Sequence, residues 1–239
     1  MIATFTALLF AHLLADFVFQ TDWINANKHR PHVMLLHGAI VLVTAQAALG
    51  RVDAPEILAL AIAHMVIDAL KIRGDFRGIA GFITDQGAHI ATVLAVTVLA
   101  PDLWAGGLWA PWPKALPLMA LLAGLITTLF AGQYAVGLLM RPHTVRIRNN
   151  GLRDGGRLIG LLERGLIFVL VLAGQPIGVG FLITAKSILR YGTATRDQRT
   201  AEYVIIGTLA SFGWAISVAF ATALLLAHLP DLEIGLLRH

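Results

Sequence analysis

Cysteine is absent from the sequence, which excludes disulfide bonds and thiolate metal sites and leaves imidazole and oxygen ligands possible. Charge is scarce: Asp, Glu, Lys and Arg make up 13% of the 239 residues, about half of the ~25% carried by a soluble domain. The shortage runs along the whole chain, where 57% of residues are hydrophobic and the mean hydropathy is +0.76. A soluble core-and-surface design is therefore excluded, and lipid is expected as the main solvent. No basic segment precedes the first apolar run at Ile2, so a cleavable signal peptide is not expected. The isoelectric point near 9.9 would suit nucleic acid, but in a membrane protein basic loops facing the cytoplasm explain it first.

What the chain does contain is a series of apolar runs near the ~20 residues needed to cross a bilayer. They are Ile2–Phe19, Val33–Leu49, Ala54–Leu70, Asp85–Leu103, Ala115–Met140, Leu158–Gly174, Pro176–Ile188 and Tyr203–Leu229. The expected fold is an all-α polytopic transmembrane bundle of about eight helices. The seventh run is short and follows the sixth through Gly174-Gln175-Pro176, so seven spans or a half-membrane hairpin are the alternatives. Short loops rich in Lys and Arg stay in the cytoplasm. With the N-terminus and C-terminus outside, twelve basic residues fall in inner loops and three (Arg51, Lys114, Arg238) in outer segments. The expected location is a bacterial inner (plasma) membrane, with Trp104, Trp109 and Trp112 in one outer loop at the interface.

The polar residues inside these runs repeat. Ala11-His12-Leu13-Leu14-Ala15-Asp16 and Ala63-His64-Met65-Val66-Ile67-Asp68 are both Ala-His-x-x-x-Asp, offset by 52 residues, and the same offset carries His37 onto His89. Each copy holds two spans, which implies a parallel repeat about an axis along the membrane normal. Two parts follow: a duplicated four-helix half at 1–105, and a C-terminal helical half at 115–229 with a basic cytoplasmic loop at 141–157. Residues four apart share a helix face. Each His-x-x-x-Asp pair therefore points one imidazole and one carboxylate the same way, and Asp85 and His89 repeat the spacing in reverse. Under the assigned orientation these groups cluster toward the cytoplasmic side.

An Asp at the bilayer centre costs about 2.5–3.5 kcal/mol on the insertion scale, so such groups need a reason to be there. Helix–helix hydrogen bonding is one reason. A duplicated set of three pairs favours another: His12, Asp16, His37, His64, Asp68 and His89 as ligands of one or two divalent transition metal ions, Zn, Mn or Fe. Two copies suit either a dinuclear centre or one ion with supporting partners. Asp85 is the candidate bridging ligand or general base, and Gln20 and Gln86 would position ligands or substrate.

The pattern His12-x-x-x-Asp16-Phe17-x-x-Gln20, Lys28, His37, His64-x-x-x-Asp68, Asp85-Gln86-x-x-His89 resembles the bacterial domain-of-unknown-function 3307 family. Three later segments resemble it too: Gly156-Arg157-Leu158-Ile159-Gly160-x-x-Glu163-Arg164, Ala185-Lys186-Ser187-x-x-Arg190 and Glu202-Tyr203-x-x-Ile206-Gly207-Thr208. The resemblance implies no activity. The first half is more distantly similar to bacterial inner-membrane metal-dependent hydrolases.

In the second half, Arg157, Arg164, Lys186 and Arg190 lie near the cytoplasmic helix ends. They read either as side chains reaching the interface, with Glu163 and Glu202 as ion-pair partners, or as a cationic pocket for a phosphate or carboxylate. Thr208 and Ser211 read as helix–helix contacts. The loop Arg141–Arg157 has five arginines but no aromatic interleaving and no nucleic-acid module, so anionic lipid rather than DNA or RNA is its expected partner. The function expected is a metal-dependent hydrolase acting on a lipid-linked or phosphoester substrate. The alternatives are a metal-ion or proton transporter, and a module whose polar pairs only fix helix packing.

Overall fold

The structure, a computed structural model, describes residues 1–74, 76–143, 154–194 and 198–231. Among the described residues it is helical with no strand. Helix α1 (Ile2–Leu14) runs into a π-helical turn (Ala15–Phe19), followed by a short α2 (Asp22–Asn27), α3 (Pro31–Leu49), α4 (Pro55–Arg73) and α5 (Gly78–Leu99). Then come α6 (Ala115–Ile126), a second π turn (Thr127–Ala131), α7 (Gly132–Met140), α8 (Gly155–Leu172), α9 (Pro176–Ala194) and α10 (Gln198–Leu226).

Local chemistry sets the ends. The Thr21 side chain accepts from the Ile24 N–H at 3.3 Å and caps α2. Pro31 and Pro55 open α3 and α4, where a missing N–H costs nothing. Helix α3 closes at Gly50, which sits at φ +66° and donates to Ala47, while Arg51 donates to Gln46. A Cβ at Gly50 would also meet Leu108 at 2.8 Å, so both conformation and space require glycine there.

All eight apolar runs are helical over most of their length. Among the described residues, five stretches are long and apolar enough to cross a membrane: Ile2–Phe19, Pro31–Leu49, Gly78–Leu99, Ala115–Met140 and Ala201–Leu226. Helix α4 carries Glu56, Asp68, Lys71 and Arg73, and α8 carries Arg157, Glu163 and Arg164. The apolar part of α9, Pro176–Ile188, is short. One detail differs from expectation. The Trp104 side chain is buried among apolar residues rather than exposed, and its backbone N–H donates to Thr4 Oγ1. Trp112 is exposed.

The chain forms two compact units, Met1–Ile126 with a C-terminal segment from Leu225, and Thr127–Leu224. In the first, α1 packs against α3, α5 and α6, α3 against α4, and α4 against α5. Its core gathers Leu8, Leu49, Ile57, Val93, Trp104 and Leu116, with Leu225, Leu226 and Leu229 from the chain's last described turn. In the second, α8 packs on α9 around Ile167, Val179, Phe212 and Ala215.

Candidate metal centre

Four helices of the first unit deliver ionisable side chains to one place. The four-residue spacing lets α4 present His64 with Asp68 and α5 present Asp85 with His89. The first helix presents His12 with Asp16, the latter from the π turn, which Gln20 closes by donating its N–H to Ala15 O at 2.9 Å. Helix α3 adds His37. All seven side chains are buried, His37 completely. Close approach of α3 and α4 is permitted by Gly38, where a Cβ would fall 2.2 Å from Met65 Sδ. Gly38 and Met65 directly follow His37 and His64, so this contact sets the separation of the two imidazoles.

The tightest part of the cluster is a set of four donor atoms. His37 Nε2 lies 3.1 Å from His64 Nε2. Asp16 Oδ1 lies 3.3 Å from the first nitrogen and 3.2 Å from the second. Asp68 Oδ2 lies 3.5 and 3.6 Å from the same two atoms. A tetrahedral ion with bonds of ~2.0–2.1 Å sets its donors about 3.3–3.4 Å apart. Hydrogen bonding alone leaves the set unsatisfied. The two facing imidazoles can share one proton, yet the buried Asp16 Oδ1, 3.2–3.3 Å from both nitrogens, receives no well-aligned hydrogen bond. Such an atom costs roughly 1–3 kcal/mol or more when its group is charged.

A second group adjoins the first. The other oxygen of Asp68, Oδ1, is 3.9 Å from His89 Nε2, and Asp85 Oδ1 is 3.6 Å from the same nitrogen. The His64 and His89 rings stack at 3.9 Å. Neither ring nitrogen of His89 has a hydrogen-bond partner, nor do Asp85 Oδ1 and His37 Nδ1. Asp68, rather than Asp85, is the carboxylate that faces both groups.

Around these atoms runs a layer of supports. Gln86 accepts from His12 Nε2 at 3.2 Å and donates to both Asp16 Oδ2 and Asp85 Oδ2 at 3.3 Å. His12 thus spends Nε2 on Gln86 and stands beside the four-donor set, its Nδ1 4.0 Å from Asp16. It still groups with Asp16 and His64 at ligand-forming distances. Gln20 ends the π turn with its Oε1 buried and without a hydrogen-bond partner.

Two lysines complete the layer. Lys28, buried at the end of α2, donates to Asp68 Oδ2 at 2.7 Å, and Lys71 donates to Asp85 Oδ2 at 2.7 Å. Sequence reasoning counted both as loop charges and gave neither a role in the site. The signal for them was electrostatic: three buried carboxylates demand compensation, and Lys71 is the basic residue nearest Asp68 in the sequence. Against three carboxylates, two ammonium groups leave one negative charge for a bound cation or a protonated imidazole. A small cavity beside His12, His64 and His89 is walled, apart from Thr92, by apolar side chains, among them Leu8, Leu60 and Val93.

Among the described residues of the second unit, Arg164 and Lys186 face protein partners. Arg164 is buried and donates to Thr128 O at 3.0 Å, Leu129 O at 3.2 Å and Ser211 Oγ at 3.2 Å. Trp214 Nε1 donates to Thr127 O at 3.0 Å, so the carbonyls of the second π turn take up both side chains. Lys186 pairs with Glu163 and lies 5.0 Å over the Phe212 ring. Arg157 is exposed. The side chain of Arg190 and the loop arginines Arg146, Arg148 and Arg153 lie outside the described residues. Arg164 and Lys186 thus direct their donors to protein groups.

Residues 4–105, which contain every member of the cluster, match the family model described as "Protein of unknown function (DUF3307)". No curated protein and no solved structure matches the chain.

Proposed function

We propose that the chain, whose residues 4–105 match the model of the DUF3307 family of proteins of unknown function, is a membrane-embedded, metal-dependent hydrolase acting on a lipid-linked or phosphoester substrate. The observation that carries the reading is the spacing of Asp16 Oδ1, His37 Nε2, His64 Nε2 and Asp68 Oδ2, together with the lack of a well-aligned hydrogen bond to the buried Asp16 oxygen. Two imidazoles and two carboxylates suit Zn, Mn or Fe. A bound ion would stabilise negative charge on a substrate oxygen and lower the pKa of a bound water. In the reaction, water oxygen adds to phosphorus, the ester P–O bond breaks, and the proton lost by water ends on the leaving oxygen.

The chain's own residues have separable parts in this. Gln86 fixes the outer oxygens of Asp16 and Asp85, Lys28 fixes Asp68, and the apolar helices keep bulk water out. Lys71, whose side chain is 33% exposed, marks the open end of the cluster. The distribution of basic residues supports a cytoplasmic position for that end, with both chain termini outside. Apolar walls around the cavity beside the imidazoles favour hydrolysis over transport, since a conducted ion needs polar groups on both sides. The parallel repeat is supported by one pair of equivalent contacts, His37 with Asp16 and His89 with Asp68.

The test is metal content by plasma mass spectrometry of the detergent-purified protein beside Asp16→Asn and His64→Ala, with phosphate release from phosphoester lipids measured in parallel. At least one equivalent of transition metal in the wild type, lost in both variants together with hydrolysis, is the expected result. A folded wild-type protein that stays metal-free after incubation with Zn, Mn and Fe overturns the reading.

A further inference from the structure

We propose that the centre holds a second divalent cation, bound by Asp68 Oδ1, Asp85 Oδ1 and His89 Nε2, and that the open side of this ion takes a phosphate-type anion. The inference rests on the first position being a metal site and adds where the reacting anion binds. Its geometric basis is a group of three buried side chains whose donor atoms all lie within 4.8 Å of one another. His89 is the decisive member. It is 1% exposed, and neither ring nitrogen has a hydrogen-bond partner. A neutral imidazole always carries one N–H and one lone pair, so burying both without partners has a cost that packing alone does not explain.

Orientation of the carboxylates points the same way. Lys71 and Gln86 hold Asp85 by Oδ2, which turns Oδ1 toward His89. Asp68 divides its oxygens, Oδ2 toward His37 and His64 and Oδ1 toward His89. A carboxylate shared in this way is the bridge of a two-metal site, in which the ions stand about 3.5–4 Å apart.

The two positions differ in kind. The first has four protein donors, the number that closes a tetrahedral ion, whereas the second has three and keeps a place for an outside ligand. Charge then selects that ligand. Three carboxylates facing two ammonium groups and two dications leave the centre three charges positive. An oxyanion with several negative oxygens, such as a phosphate ester or phosphate, matches both the charge and the vacant coordination. Lys71, the partly exposed lysine on Asp85, places a further N–H donor at the same end.

The experiment loads the purified full chain with Mn²⁺, removes free ion and measures both stoichiometry and the electron paramagnetic resonance spectrum. The wild type should bind two equivalents and show an exchange-coupled spectrum. His89→Ala and the isosteric Asp85→Asn should each bind one, with an isolated six-line signal. Inorganic phosphate should show Mn²⁺-induced broadening of its phosphorus resonance with the wild type and not with the variants. One equivalent in the wild type and in both variants overturns the second position and leaves the proposed function standing. Two equivalents retained in both folded variants overturn it as well. Zero in the wild type overturns the second position, and a protein that also stays metal-free with Zn and Fe removes the proposed function itself. Two coupled ions without phosphate broadening overturn the anion assignment alone.

Discussion

Lys28 and Asp68 form a buried ion pair at 2.7 Å in which the carboxylate has a second duty toward His37 and His64. Breaking a buried pair from one side strands a charge and costs about 3–5 kcal/mol. Lys28→Met, close in length and without charge, should destabilise the chelator-treated protein by that order. With Mn²⁺ present the gap to wild type should narrow, because a dication beside Asp68 replaces the lost ammonium. Thermal unfolding in detergent, with chelator and with Mn²⁺, measures both gaps; equal gaps would mean that no cation reaches Asp68. The same residues show what was legible in sequence. His12, Asp16, His64 and Asp68 could be paired from their spacing because helix geometry fixes which residues share a face. The 52-residue offset then brought in His37 and His89. The destination of Lys28 and Lys71 was not legible, since a lysine beside an apolar run reads the same whether it reaches outward to headgroups or inward to a carboxylate. Which oxygen of Asp68 faces which imidazole depends on rotamers and helix crossing, which no spacing encodes.

Among the elements, apolarity located the helices but not their ends. Helix α5 starts at Gly78, seven residues before the run read from Asp85, and it stops at Leu99, so Leu103 lies in a turn. Backbone hydrogen bonding and caps decide where a helix begins and ends, and hydropathy sees neither. The π turn at Ala15–Phe19 is likewise invisible in composition, although it sets the direction of Asp16. The α3–α4 contact offers an element-level test. Gly38→Val would drive a side chain into Met65 and push apart the helices that bring His37 and His64 to 3.1 Å. Overpacking of this kind costs about 1–3 kcal/mol. The variant should bind metal at least tenfold more weakly in a competition titration. Gly137→Val, at a helical position where a Cβ meets nothing within 4 Å, should leave the affinity unchanged.

At the scale of the whole molecule, the orientation inferred from the basic loops can be read directly because the chain has no cysteine to give background. Val52→Cys and His29→Cys introduce single thiols at exposed positions in the loops on either side of α3. A membrane-impermeant maleimide should label Val52→Cys in intact cells and His29→Cys only after permeabilisation; the reverse pattern would invert the topology. The family match covers residues 4–105, while the unit carrying the cluster extends to Ile126 and takes in Leu225, Leu226 and Leu229. That last feature sets an order of events during biosynthesis. About a hundred residues separate Ile126 from Leu225, and at roughly 5–20 residues per second of translation the ribosome needs about 5–20 s to make them. The helices that gather the imidazoles are thus synthesised early but lack three leucines of their core until Leu225, Leu226 and Leu229 follow, so the cluster of imidazoles and carboxylates waits in an unfinished host during that interval.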